Sequence, residues 1–100
     1  MKKQYSKDRK TCKVTFRLPK EAVKNAKTVH LVGEFNLWDI TANPMKLMKN
    51  GAFQVTLQLE AGRSYQFRYL IDENKWENDW EADQYVPSSF GAAENSVVVV

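Results

Sequence analysis

The chain has 100 residues, 43% hydrophobic and 27% charged, with a formal net charge of +3. This is the size of one domain with a modest core; the composition excludes a disordered chain, and no apolar run approaches the length of a membrane span. The charge is uneven, since residues 1–27 hold ten Lys or Arg against two acids, for +8, and residues 28–100 hold five against ten, for −5.

Residues 1–11 are polar and basic and are expected to form a flexible N-terminal arm. A basic arm suits an acidic partner or nucleic acid. Nucleic-acid modules, however, carry their basic surface on the folded body, and here the body is acidic. The N-terminus lacks the apolar segment of a secretory signal, and Cys12 has no second cysteine to pair with. Both features lead us to expect a cytoplasmic protein without membrane partners.

Cys12, Val14, Phe16 and Leu18 alternate with Lys13, Thr15 and Arg17, which predicts a half-buried strand ended by Pro19. Lys20 to Lys27 reads as a turn or a single helical turn. Val29 to Gly33 is a second strand, followed by Glu34, Phe35, Asn36, Leu37 and Trp38. Residues 39–52 form a loop marked by the turn dipeptides Asn43-Pro44 and Asn50-Gly51, with Met45, Leu47 and Met48 available for a short strand or lid. Phe53 to Leu59 and Tyr65 to Ile71 alternate cleanly and predict two further strands. Asp72-Glu73-Asn74-Lys75 is a hairpin-like turn into Trp76. Trp76 to Tyr85 is acidic and aromatic without a period, Pro87 to Gly91 is loop, and Ser96 to Val100 is a terminal strand that must be paired to avoid a free edge. The pattern, about six to eight short strands spaced by roughly ten residues, predicts an all-β, immunoglobulin-like antiparallel β-sandwich over residues 12–100.

Catalytic chemistry finds little support. Asp72, Glu73, Glu77, Asp79, Glu81 and Asp83 are plentiful carboxylates, but acid–base catalysis needs two of them across a cleft with their pKa values pushed apart. A solvated acidic loop explains them. The same stretch fails as a calcium loop, because Trp76 stands at the fifth-ligand position and Glu77 where the sharp-turn Gly is required. One histidine, His30, and one cysteine cannot build a zinc site or a nucleophile–base pair. No enzyme, metal or cofactor is expected. The remaining signal is aromatic: Trp38, Trp76 and Trp80 lie at strand ends or in loops. Each either caps the core or offers a flat, electron-rich face to the C–H face of a sugar ring, with Arg68, Lys75 or Asn95 near enough in sequence to bond hydroxyls.

Several of these segments together resemble the glycogen-binding carbohydrate-binding modules. They are V-H-L-V-G-E-F-N-L-W over 29–38, F-Q-V-T-L-Q-L over 53–59, Y-Q-F-R-Y-L-I-D over 65–72, Trp76, Phe90-Gly91 and N-S-V-V-V from Asn95. These modules are the early-set sandwich domains at the N-termini of isoamylase, pullulanase and glycogen branching enzyme, and in the β subunit of AMP-activated protein kinase. The resemblance covers roughly residues 12–100. In overall form the chain is similar to short bacterial proteins with an isoamylase early-set domain. The resemblance implies α-1,4-glucan binding without catalysis, the family's hydrolase chemistry residing in a separate barrel. It implies that Trp38 and Trp76 stack on sugar rings, that Arg68 takes the place of a sugar-bonding lysine, and that Phe90 takes that of an apolar loop residue. Ala92 and Glu94 stand where the kinase-type modules have Thr and Asn, and Asn95 is one residue on. Partners expected on this basis are an α-glucan oligosaccharide or polysaccharide, or a glycan-metabolising enzyme. The alternative is a protein-docking module of the same fold with little or no sugar binding.

Overall fold

Alternation decides which side of each strand is buried, and the register then assembles the strands into two antiparallel sheets. The computed structural model describes residues 1–89 and 93–100. The first sheet has the order β1 (Lys2–Tyr5), β2 (Thr11–Leu18), β5 (Phe53–Glu60), β4 (Lys46–Leu47). The second has the order β3 (Val29–Gly33), β6 (Ser64–Ile71), β9 (Glu94–Val99), β8 (Gln84–Pro87), and β7 (Lys75–Glu77) also pairs with β6. A single helical turn, α1 (Lys20–Val23), links β2 to β3. The architecture is the all-β antiparallel sandwich that the alternation predicts.

Val14, Phe16 and Leu18 of β2 face Leu31 of β3 and Phe67 and Tyr69 of β6 across the sandwich, all fully buried. Phe16 and Phe67 meet edge to face at 5.0 Å between centroids, the favoured geometry for aromatic pairs. The outward residues of β6, Gln66 and Arg68, alternate with this core set. The terminal strand β9 is paired on both sides, by β6 and by β8.

Four features depart from the sequence reading. Part of the basic arm expected to be flexible is strand β1, paired with β2 along Lys2–Tyr5. Lys3 carries a 2.7 Å ion pair to Asp83. Strands β7 and β8 stand in stretches read as turn and loop. Strand β8 is an edge strand ending at Pro87, a residue tolerated only where no ladder donor is needed. The acidic stretch is not uniformly solvated either. Asp79 is 4% exposed and its Oδ2 accepts the Tyr69 hydroxyl at 2.6 Å. Its own N–H donates to Ser96 Oγ, which in turn donates to Asn78 Oδ1. Glu81 N–H reaches Asp79 Oδ1, and Tyr85 donates its hydroxyl to the Asp79 carbonyl. This polar knot pins the 78–83 loop to the second sheet. Burial, reinforced by the Asp79 charge, pushes the Tyr69 phenol well above its ordinary range.

Tyr69→Phe strands the buried Asp79 carboxylate and should cost about 1–3 kcal/mol of stability, measured by urea denaturation. A pH dependence follows from Asp72 and Asp83. The Asp72 carboxylate accepts the N–H groups of Thr28 and Lys27, which hold its pKa below the ordinary value. Burial opposes ionisation of Asp83, but Lys3 and the Val99 N–H outweigh it and also hold it low. Both carboxyls release their protons more readily when folded, so their stabilisation is complete above the unfolded pKa of about 4 and is lost as pH falls through the lower folded values. Melting temperature should hold between neutral pH and about pH 5 and fall below about pH 4. The double variant Asp72→Asn, Asp83→Asn should show a shallower acid slope.

Candidate functional site: a tryptophan-walled groove

The site is built where the second sheet divides. On one edge of β6, β9 pairs as far as Ser96↔Phe67, and β7 takes over at Glu77↔Tyr69. Arg68 lies between the two ladders, with its side chain on the outer face because Phe67 and Tyr69 point to the core. The same alternation puts Gln66 beside it, Asn95 of β9 and Val32 of β3 on the same face, and Trp76 of β7 opposite Leu70.

Trp38 reaches this face through a turn that its own motif dictates. A Cβ at Gly33 would lie 2.6 Å from the Gln66 carbonyl and 2.7 Å from Phe67 Cβ, so only glycine lets β3 press this close to β6. A single 3-10 turn, Glu34–Asn36, follows. Phe35 turns inward, with its ring 5.5 Å from that of Phe16 and 6.1 Å from that of Tyr65. Asn36 locks the turn: its Oδ1 accepts Gly33 N–H at 3.1 Å, and its Nδ2 donates to the Leu31 carbonyl and to Asn43 Oδ1. Glu34 Oε1 accepts the Gln66 N–H at 2.7 Å, tying the turn to β6. Leu37 and Trp38 then both adopt left-handed backbone, at φ 58° and 59°. Such residues persist only when their surroundings over-determine them; here the Trp38 N–H bond back to the Gly33 carbonyl, 2.9 Å, does so. The indole is thereby carried away from the core.

The result is an open groove of about 420 Å³, within the range of small-molecule sites, roughly 300–1,000 Å³. Trp38, 37% exposed, and Trp76, 43% exposed, both line it, as do Ile40, Gln66, Arg68 and Asn95. Ser88, Ser89 and Pro87 close the side towards β8. The Arg68 guanidinium lies 5.2 Å from the Trp76 ring centroid, a cation–π contact. Asn95 donates through Nδ2 to Gln66 Oε1 at 3.0 Å.

Of the residues singled out from the sequence, Trp38, Arg68, Trp76 and Asn95 meet in this groove. Lys75 is not among its lining residues, because it precedes Trp76 on β7, pairs with the inward Ile71, and so points to the opposite face. Phe90 and Ala92 lie outside the described residues. Glu94 is exposed on β9. Trp80 is 55% exposed but does not line the groove. Gln66 and Glu34 were missed. The period-two pattern already put Gln66 on the face of Arg68, whereas Glu34 depends on a turn that alternation does not describe. Among the described residues, no three His, Cys, Asp or Glu side chains gather as a metal-ligating group.

The sequence matches the family model of carbohydrate-binding module 48, the isoamylase N-terminal domain, over residues 6–86. No curated protein matches it. The turn that delivers Trp38 makes a direct demand on Gly33: Gly33→Ala forces β3 off β6 and should cost about 1–3 kcal/mol. Thermal denaturation of the variant measures this.

Proposed function

The chain belongs to the carbohydrate-binding module 48 family, and on that premise we propose that it binds α-1,4-glucan of the glycogen or starch type without acting on it. Trp38 and Trp76 stack on glucose rings, and Arg68 donates to ring hydroxyls. The observation that carries this reading is that Trp38, Trp76 and Arg68 line one solvent-facing groove on the outer face of the second sheet. An indole presents a large, rigid, electron-rich surface at small conformational cost, and a sugar's C–H face complements it. A carbohydrate-binding module is itself non-catalytic. For the chain as a whole, the absence of enzymatic activity is part of the proposal.

A protein-docking role is a second reading with its own support. Leu37 is 90% exposed and Ile40 48% exposed on either side of Trp38, an apolar tip beside the groove. This reading predicts capture of a protein partner that glucan does not compete away.

Titration with maltoheptaose or β-cyclodextrin, followed by tryptophan fluorescence, separates the two. The glucan reading expects a saturable change. Trp38→Ala should weaken binding by roughly 2 kcal/mol, about thirty-fold in Kd. No change at millimolar sugar overturns the reading.

A further inference from the structure

The core of the sandwich is open on one flank. Val23 and Phe53 belong to the core cluster and Ala26 packs against it, and together with Leu47 they line a cleft of about 470 Å³ between α1 and β4. Leu47 pairs with Phe53, so alternation turns its side chain toward the core side of the first sheet. Phe53 is buried there, whereas Leu47, on the two-residue edge strand, is 57% exposed. The turn after β4 packs against α1. Gly51 N–H donates to the Met48 carbonyl, and a Cβ at Gly51 would lie 3.0 Å from that of Lys20. Leu47 also joins Met48 in walling a second concavity, of about 450 Å³. A lone exposed leucine needs no explanation, but one that joins two concavities with apolar walls makes a continuous patch, which does.

The rim of this patch is cationic. Lys20 and Lys24 line the first concavity, and Lys46 and Lys49 line the second. Arg17 and Lys46 both lie opposite Gln54 in the ladders of the first sheet, so they share its outer face. All five are exposed, and none is in an ion pair among the described residues. Among those residues Glu21 is the one acid that lines either concavity. We propose that this flank docks a partner protein through a segment that carries an apolar side chain flanked by Asp or Glu. The apolar side chain fills the cleft beside Leu47, and the carboxylates meet the cationic rim. An apolar centre within a polar, charge-complementary rim is the usual anatomy of a protein interface.

Shape selects among the anionic partners that such a rim attracts. A phosphate backbone brings charge but no side chain to fill an apolar concavity. An anionic bilayer is flat on the scale of the cleft, so it reaches Leu47 and the lysines and leaves the recess between them empty. A protein segment supplies both the projecting apolar group and the carboxylates. Neither concavity shares a lining residue with the tryptophan-walled groove. The flank is therefore distinct from the Leu37–Ile40 tip, whose partner would sit beside that groove. The proposal goes beyond the glucan reading and does not depend on it: a sugar and a protein occupy separate surfaces of the module.

The test is peptide display. A library of random dodecapeptides is panned against the full chain, and the enriched peptides are titrated by fluorescence anisotropy. They should share an apolar residue next to Asp or Glu, and their affinity should fall as salt rises. Leu47→Ser should weaken them about ten-fold through lost apolar burial. The double variant Lys20→Glu, Lys46→Glu should weaken them about ten-fold or more through reversed charge. It changes two exposed side chains and carries the test if Leu47→Ser, followed by its melting temperature, does not fold. Leu37→Ser should leave the affinity unchanged. Absence of enrichment, enriched peptides without acidic residues, or wild-type affinity in the variants at Leu47 or at the two lysines overturns the proposal. A loss confined to Leu37→Ser also overturns it and moves the partner to the other tip. Sedimentation with vesicles of phosphatidylcholine and phosphatidylserine in equal parts, abolished by Leu47→Ser, overturns it in favour of a membrane contact.

Discussion

At Gly33, strand β3 and its neighbour β6 in the second sheet come too close for any side chain. The approach of β3 to the Gln66 carbonyl and to Phe67 leaves room for hydrogen alone. The placement of Trp38 at the groove follows from that contact. Because β3 lies tight on β6, the turn after it folds Phe35 into the aromatic core and leaves Asn36 placed to bond back to Gly33 and Leu31. The next two residues must reverse through left-handed backbone, which throws Leu37 and Trp38 outward. The glycine, the phenylalanine, the asparagine and the tryptophan of this stretch thus have four different physical jobs within six residues.

The floor of the groove is rigid for a separate reason. Strand β6 is the hub of its sheet, bonded to β3 on one edge and to β9 and β7 on the other. Behind it, the hydroxyl of Tyr69 ties the core side of β6 to Asp79, and Ser96 ties β9 to the same loop. A buried network of this kind is stabilising only when all its members are paired. The described partners satisfy both Asp79 oxygens, the Ser96 hydroxyl and the Asn78 amide. Among the described residues three buried polar atoms have no such partner: Arg68 Nε and Asn95 Oδ1 belong to groove residues, and His30 Nδ1 lies outside the groove.

Much of this was legible in the sequence, for identifiable reasons. Strands β2, β5 and β6 bury one face, so period-two alternation marks them directly. The strands that escaped detection are short or lie at edges. The residues Lys2–Tyr5 have no apolar alternation, and β8 ends in a proline. The burial of Asp79 was invisible because its partners, Tyr69 and Ser96, are 10 and 17 residues away. For the site, position at strand ends and in loops raised the three tryptophans as candidates, with Arg68, Lys75 and Asn95 near them, and the resemblance singled out Trp38, Trp76 and Arg68. Alternation was enough to add Gln66 and to turn Lys75 away. The orphaned state of Asn95 is a matter of packing that no local pattern encodes.

The central claim is that Trp38 and Trp76, and not Trp80, form the sugar-binding surface. The chain has three tryptophans, so its indole N–H groups give three resolvable signals in a nitrogen-15 correlation spectrum. Addition of maltoheptaose should move the signals of Trp38 and Trp76 together along one saturable curve and leave Trp80 in place. Three stationary indole signals at saturating sugar, or movement of Trp80 alone, would contradict the account.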